Sequence, residues 1–186
     1  MLRKKLLLIF LFCFFSKIAF MQESALDDLK INIEAKLNIA DARFGVAFKD
    51  LQTGEVLLIN EKENFHAAST MKTPVLIELY HQAALGNFSM NDSLEITNTF
   101  YSIVDGSEFN LNVADDSETE LYQHIGEKRT IANLAYEMII QSSNLATNML
   151  IALVTPLNVM RTMKNLGAHD IKILRGVEDG KAYKKD

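Results

Sequence analysis

The chain has 186 residues, a single cysteine and a formal net charge of −5, from 24 acidic and 19 basic side chains. This length supplies one hydrophobic core rather than two, and one cysteine excludes a disulfide framework. Because the charge balance is acidic, the chain has little electrostatic attraction for nucleic acid, and nucleic-acid binding is not predicted.

Residues 1–21 have the features of a secretory signal peptide. Residues 1–5 are basic, and the apolar segment 6–15, which contains Cys13, is too short to span a bilayer comfortably. Lys17 interrupts the apolar residues and so disfavours the alternative, an uncleaved membrane anchor. The expected location is periplasmic or secreted, with no stable membrane span after cleavage. Cleavage would remove four cations and no acid, which leaves a more acidic chain.

The next elements are predicted to be a helix and a β-hairpin. Apolar residues recur at helical spacing across residues 23–39, which predicts an amphipathic helix. Alternating apolar residues at 44–48 and a second apolar segment at 56–59 predict two strands, and residues 50–54 supply the turn. Two strands alone are not a stable sheet in water, so we expect further strands to complete it.

A Ser-x-x-Lys sequence, Ser69 to Lys72, opens the next predicted helix, residues 69–85. Residues three apart share a helix face, so the Ser69 hydroxyl and the Lys72 amine are expected to lie close enough to exchange a proton. A desolvated lysine can activate a serine nucleophile, and a helix start offers free N–H groups for an oxyanion. Pro74 cannot donate to the Thr70 carbonyl, so the first turn should be tight or irregular. By itself the spacing also fits a capping serine with a solvated lysine.

The rest of the chain is predicted to be mainly helical. Residues 94–96 form a short extended piece, and residues 105–120 form an acidic loop. A solvated surface loop is favoured over a calcium site there, because the spacing of the acids matches no calcium-binding loop. A break at residues 141–144 separates two helices, a third follows, and residues 175–180 form a polar loop. The helix ends are marked by Thr130, Pro156 and Gly167.

The order of these motifs resembles the class A β-lactamase and penicillin-recognising serine hydrolase family. The Ser-x-x-Lys motif of that family matches Ser69 to Lys72, and its Ser-Asp-Asn motif matches Ser142-Ser143-Asn144. Glu178 follows Ser142 by 36 residues, where the family keeps a loop carboxylate. The flanking residues are also similar, and the resemblance covers the chain after the signal peptide.

The resemblance implies a mixed α/β fold of the α+β kind. Residues 22–62 would form the N-terminal helix and hairpin of a discontinuous sheet domain, and residues 63–186 an all-helical domain with the catalytic loop. The Lys-Thr-Gly strand of the family is absent, and the sequence ends where C-terminal strands and a closing helix would follow. The expectation is therefore an incomplete β-lactamase-like serine hydrolase domain.

The resemblance also implies a chemistry. Ser69 would attack the amide carbonyl of a β-lactam or a peptidoglycan-like peptide, with Lys72 taking its proton directly or Glu178 doing so through water. Ser142 would pass a proton to the leaving nitrogen, Asn144 would bind the substrate, and Glu178 would activate water for deacylation. This chemistry needs neither metal nor cofactor. The expected partners are small molecules, and the expected state is a monomer.

Two departures from the family keep other functions open. Ser143 replaces the aspartate of the second motif, and the residue four positions after Glu178 is Ala182 rather than the expected asparagine. A penicillin-binding D,D-peptidase-like or sensor protein with slow deacylation is therefore one alternative. An inactive truncated fragment is another.

Each single residue also has a structural alternative. Ser142 and Asn144 could merely cap the helix that follows them. Glu178 could be a surface carboxylate paired with Arg175. His66 is interpreted as a packed or surface histidine, and Asn148 is expected to support the polar loop rather than to touch substrate.

Overall fold

A computed structural model describes residues 26–183 of the chain. The predicted signal peptide, with Cys13, lies outside the described residues. By their contacts the residues form two compact units, the first ending at His66 and the second beginning at Ala67. None of the helices described between residues 26 and 183 has the length and hydropathy that a membrane crossing requires.

The first unit contains the predicted helix and hairpin. Residues 26–37 are helical (α1), and β1 (Val46–Lys49) pairs antiparallel with β2 (Val56–Ile59). The Asp50 carboxylate holds the connecting turn by accepting two backbone hydrogen bonds, at 2.7 and 2.9 Å. Gly54 ends the turn with φ +79°, a conformation that favours glycine. The predicted hairpin is thus confirmed.

The sheet of the first unit has two strands in the described part of the chain. The additional strands expected from the sequence are therefore not found between residues 26 and 183. Phe48 and Val56 on this hairpin are 54% and 51% exposed. The hairpin thus presents apolar side chains to solvent.

The second unit is built on helices with small sheets attached. Its elements are α2 (Lys72–Ala84), β3 (Ser93–Glu95), β4 (Phe100–Tyr101), β5 (Glu108–Phe109), β6 (Lys128–Thr130), α3 (Ile131–Ile140), α4 (Asn144–Val154), α5 (Pro156–Asn165) and α6 (Gly180–Tyr183). β3 pairs with β6, and β4 pairs with β5, both antiparallel. The sequence predicted a helical domain here with a short extended piece at residues 94–96, which overlaps β3, and it predicted no strand at β4, β5 or β6. These strands have two or three residues each, too few to show a strand periodicity.

The core of the second unit surrounds α4. This helix packs against α2, α3 and α5. Most of its residues are buried on every face: Leu145, Ala146, Thr147, Asn148, Met149, Leu150, Ile151 and Val154. A helix that is apolar nearly all round is a central helix. Side chains at its N-terminal end are consequently held in fixed positions.

The helix ends follow the sequence signals. Thr130 caps α3 by accepting a hydrogen bond from the third residue beyond it, and Pro156 opens α5. Before α2, residues Ala68–Met71 form a 3₁₀ helix. This tight first turn is the one expected from Pro74, whose nitrogen carries no hydrogen to continue an α-helical ladder. Ser69 therefore lies in the tight turn and Lys72 begins the α-helix.

Candidate active site

Four of the five predicted site residues meet where α2 and α4 begin. The hydroxyls of Ser69 and Ser142 share a hydrogen bond with an Oγ to Oγ distance of 3.0 Å. The Lys72 ammonium donates to the Ser142 carbonyl oxygen at 2.5 Å, to Ser142 Oγ at 2.9 Å and to Asn144 Oδ1 at 3.1 Å. The sequence predicted a direct approach of Lys72 to Ser69. Instead, the lysine extends toward α4 and is connected to Ser69 through Ser142.

Lys72 is withdrawn from solvent. Its exposed fraction is 2%, so it is not the solvated lysine of the structural alternative. Burial lowers the pKa of the Lys72 ammonium below its usual value, and the charge of Asp116 opposes that effect. A lysine with a lowered pKa is more readily available as a neutral base.

Where α2 and α4 begin, the backbone is left-handed at Ser142 and at the residue before Ser69. Ala68, immediately before Ser69, has φ +45°, and Ser142 has φ +57°. Such conformations are uncommon for residues other than glycine and persist where surrounding contacts hold them. At Ser142 these contacts include the Lys72 ammonium on the carbonyl oxygen and on Oγ.

Among the three residues of the second motif, Ser143 is the one whose side chain caps α4. The Ser143 hydroxyl accepts a hydrogen bond from the Ala146 N–H at 3.1 Å, and the residue is fully buried. The Ser142 and Asn144 side chains contact Lys72 instead. The alternative that these two residues merely cap the helix is therefore wrong.

Asp116 is a site neighbour that sequence analysis did not identify. Its carboxylate accepts hydrogen bonds from the backbone N–H groups of Asn144 and Leu145, each at 2.9 Å. The Tyr122 hydroxyl donates to the same carboxylate at 2.8 Å. The sequence predicted a solvated acidic loop here, so for Asp116 that interpretation is wrong. Glu118 of the same loop is also buried, and nothing in a series of acidic residues distinguishes those that turn inward.

Asn148 holds the polar loop, as the sequence predicted. Its Oδ1 accepts from the Val177 N–H at 2.6 Å, and its Nδ2 donates to the Val177 carbonyl at 3.0 Å. Gly176 lies so close that an added Cβ would stand 2.2 Å from Asn148 Oδ1. This approach requires glycine at position 176.

Asp179 fastens the other side of the same loop. Its carboxylate accepts from the Ser102 hydroxyl at 2.9 Å and the Ile103 N–H at 3.0 Å. The N–H groups of Lys181 and Ala182 donate to it at 3.2 and 3.3 Å. Burial opposes ionisation, but these hydrogen bonds keep the pKa of Asp179 below its usual value. Asp179 is thus a structural carboxylate that sequence analysis did not identify.

Replacing Asp179 by asparagine is expected to lower the free energy of unfolding by about 1–3 kcal/mol at pH 7, because buried donors lose their charged acceptor. The folded pKa of Asp179 is lowered, so its stabilisation is present above the unfolded pKa of about 3.9 and is lost as pH falls through the folded pKa. Denaturant unfolding at pH 7 and at acid pH measures both effects. Asp170→Asn, at an exposed position, is the control. A stability loss that stays constant down to acid pH would contradict this role.

Glu178 stands apart from the other four predicted site residues. It is exposed, and it is not among the side chains joined by the hydrogen bonds around Lys72 in the described part of the chain. Its φ is +61°, between Val177, held by Asn148, and the buried Asp179. The backbone on either side of Glu178 is therefore held by hydrogen bonds, those of Val177 to Asn148 and those of Asp179.

The sequence model of the β-lactamase enzyme family matches residues 28–186. The chain is 32% identical over 94 residues to the β-lactamase VEB-1 of Pseudomonas aeruginosa, an alignment that covers 50% of this chain and 31% of that protein. The chain thus matches less than a third of the length of this curated relative.

Solved structures of β-lactamases share the fold. That of Sphaerobacter thermophilus is 29% identical with a TM-score of 0.57, covering 72% of this chain and 46% of the other. That of Chitinophaga pinensis is 21% identical with a TM-score of 0.66, covering 87% and 55%. An ancestral class A β-lactamase is 21% identical with a TM-score of 0.67, covering 81% and 54%. The chain spans about half the length of these proteins, and its mixed α/β fold class is confirmed.

Proposed function

The chain belongs to the β-lactamase enzyme family, and from this premise we propose that it is a serine hydrolase that forms an acyl-enzyme through Ser69. The proposed substrate is a β-lactam, or a peptidoglycan-like peptide that carries an equivalent amide. The observation that carries the proposal is the continuous path of hydrogen bonds from Lys72 through Ser142 to Ser69.

The path supports a defined proton transfer. A neutral Lys72 amine keeps two N–H donors, which can satisfy the Ser142 carbonyl and Asn144 Oδ1. Its lone pair then faces Ser142 Oγ, so the Ser142 hydroxyl can donate to Lys72 while the Ser69 hydroxyl donates to Ser142. As Ser69 Oγ bonds to the substrate carbonyl carbon, its proton passes to Ser142 and the Ser142 proton passes to Lys72.

The same groups serve the second half of acylation. When the amide C–N bond breaks, the leaving nitrogen needs a proton, and Ser142 can deliver one while regaining one from the Lys72 ammonium. The Ser69 N–H lies at the start of a 3₁₀ helix, where backbone donors lack partners within the helix and can bind an oxyanion. Asn144 would bind the substrate through its side-chain amide.

Glu178 is the proposed base for deacylation. Asn144 and Asn148 are four residues apart on α4 and therefore share one helix face, about 6 Å apart along the helix axis. Asn144 contacts the lysine, and Asn148 holds the backbone immediately before Glu178. The same face of α4 therefore contacts both Lys72 and the loop that carries Glu178. This arrangement supports a role for Glu178 in directing water to the acyl ester.

A specific observation favours a second candidate, a penicillin-binding or sensor protein with slow deacylation. The residue four positions after Glu178 is Ala182, which is buried and has no polar side chain. It offers no amide to help hold a hydrolytic water. For either candidate we propose action in the periplasm or outside the cell, as a monomer.

The test uses the protein expressed from its complete gene, incubated with a fluorescent penicillin and, separately, with nitrocefin. Nitrocefin turnover with a short-lived adduct supports the β-lactamase proposal. A stable adduct without turnover supports the slow-deacylation candidate. A folded protein that gives neither adduct nor turnover would overturn the proposed serine hydrolase function, since both candidates require acylation of Ser69.

A further inference from the structure

The first turn of α4 is closed by two side chains from different parts of the chain. The first N–H groups of a helix have no partner within the helix. Ser143, the cap residue, takes the N–H of Ala146. Asp116 takes the N–H groups of Asn144 and Leu145, although it precedes them by 28 and 29 residues. Most of the capping of this helix therefore comes from a distant carboxylate.

The Asp116 carboxylate is itself held in orientation. Tyr122, in the 3₁₀ helix Leu121–His124, donates its hydroxyl to Asp116 Oδ2 at 2.8 Å. Burial, and then the hydrogen bond to Asp116, raise the pKa of Tyr122, so the phenol keeps its proton and remains a donor. The backbone N–H of Glu118 also donates to Asp116 Oδ1, at 3.2 Å. With three backbone N–H groups and one hydroxyl directed at it, the carboxylate has a fixed position.

Asn144 connects this carboxylate to the lysine. Its backbone N–H donates to Asp116 at 2.9 Å, and its side-chain Oδ1 accepts from Lys72 Nζ at 3.1 Å. The hydrogen bond from the Asn144 N–H to Asp116 therefore fixes the Asn144 backbone, and with it the position of the side-chain amide that contacts Lys72. A shift of that backbone would move an acceptor of Lys72, and Ser142 is only two residues away along the chain.

We propose that Asp116, oriented by Tyr122, is a positioning residue that fixes Asn144 and, through it, the amine of Lys72. The inference rests on the proposed function, because it assigns Asp116 a part in the acylation of Ser69. Among the hydrogen bonds of the described residues, none joins Asp116 to Ser69. It acts through the geometry of the α4 N-terminus and through its negative charge near the lysine.

The charge has a predictable sign. The Lys72 amine contacts the neutral side chains of Ser142 and Asn144. Within the described part of the chain, the charge that acts on it is that of Asp116. This charge raises the pKa of Lys72, whereas burial lowers it. Removing the charge should lower the pKa of Lys72 further. If neutral Lys72 is the base, the acidic limb of the acylation rate then moves to lower pH.

The experiment measures the second-order rate of labelling by fluorescent penicillin against pH for Asp116→Asn, Asp116→Glu and Tyr122→Phe. Asp116→Asn should lower the maximal rate by about 10- to 100-fold, the cost of a small misplacement at a reacting centre, and shift the acidic limb downward. Asp116→Glu should keep the limb near its original pH because the charge is retained. Tyr122→Phe should lower the rate less and leave the limb close to wild type. Asp115→Asn, at the adjacent exposed position, is the matched control.

A second readout separates this inference from the proposed function. NMR titration of the Lys72 side chain, together with the amide resonances of Asn144 and Leu145, needs no turnover. If wild type is not labelled, the acylation proposal fails, but Asp116→Asn should still lower the pKa of Lys72 and shift both amides. A Lys72 pKa and labelling profile unchanged in folded Asp116→Asn would overturn the positioning role, and a loss of stability alone would show a purely structural one.

Discussion

Ser69→Ala is expected to abolish covalent labelling by fluorescent penicillin, lowering the acylation rate by a factor on the order of 10⁶, as removal of a serine nucleophile does elsewhere. The physical reason is direct. Ser69 carries the oxygen that would bond to the substrate carbonyl, and the neighbouring Ser142 hydroxyl is engaged by Lys72 at 2.9 Å. Gel fluorescence and the intact mass of the protein after incubation measure the loss.

The matched control is Ser93→Ala, which removes an exposed serine from β3. It should be labelled at the wild-type rate. Unfolding midpoints of both variants should stay near wild type, because the Ser69 hydroxyl makes its hydrogen bond at the exposed side of the site. An adduct that persists in Ser69→Ala and maps to Ser142 would show that the nucleophile has been assigned to the wrong member of the pair.

Local signals in the sequence predicted the elements well. A helix cap, a helix-opening proline and a turn glycine act within four residues of themselves, so Thr130, Pro156 and Gly54 could be interpreted without the rest of the chain. The tight turn before α2 likewise follows from a single missing N–H at Pro74. The extended piece predicted at residues 94–96 overlaps β3, but β4, β5 and β6 were missed because two or three residues are too few to show a strand periodicity.

The contacts of the candidate active site could be predicted less well from local sequence signals. Helical spacing predicted that Lys72 approaches Ser69, but the lysine contacts Ser142, which is 70 residues away. Only the resemblance to a family joined Ser142 to Ser69. The long-range roles of Asp116 and Asp179 could not be found, since each carboxylate accepts from backbone N–H groups far along the chain, 28 residues away for Asp116 and 76 for Asp179. Because almost every residue has a backbone N–H, a hydrogen bond to such a group has no sequence pattern by which it could be predicted.

Glu178→Gln is expected to leave acylation within a few-fold of wild type and to slow deacylation by about 10²- to 10⁴-fold, the usual contribution of a positioned general base. The amide has nearly the shape of the carboxylate but cannot accept a proton from water. The surrounding loop should stay in place, because Asn148 and Asp179 hold it through Val177, Ser102 and Ile103 rather than through the Glu178 side chain.

The measurement is the lifetime of the penicillin adduct by intact mass, together with the burst and steady-state phases of nitrocefin hydrolysis. Wild type should show turnover, whereas Glu178→Gln should show a burst of one equivalent followed by a slow phase. Glu108→Gln, at an exposed position on β5, is the control and should behave as wild type. If the adduct is equally long-lived with and without the carboxylate, Glu178 does not activate the water. The loop with its buried Ala182 then belongs to a protein that binds penicillin and releases it slowly.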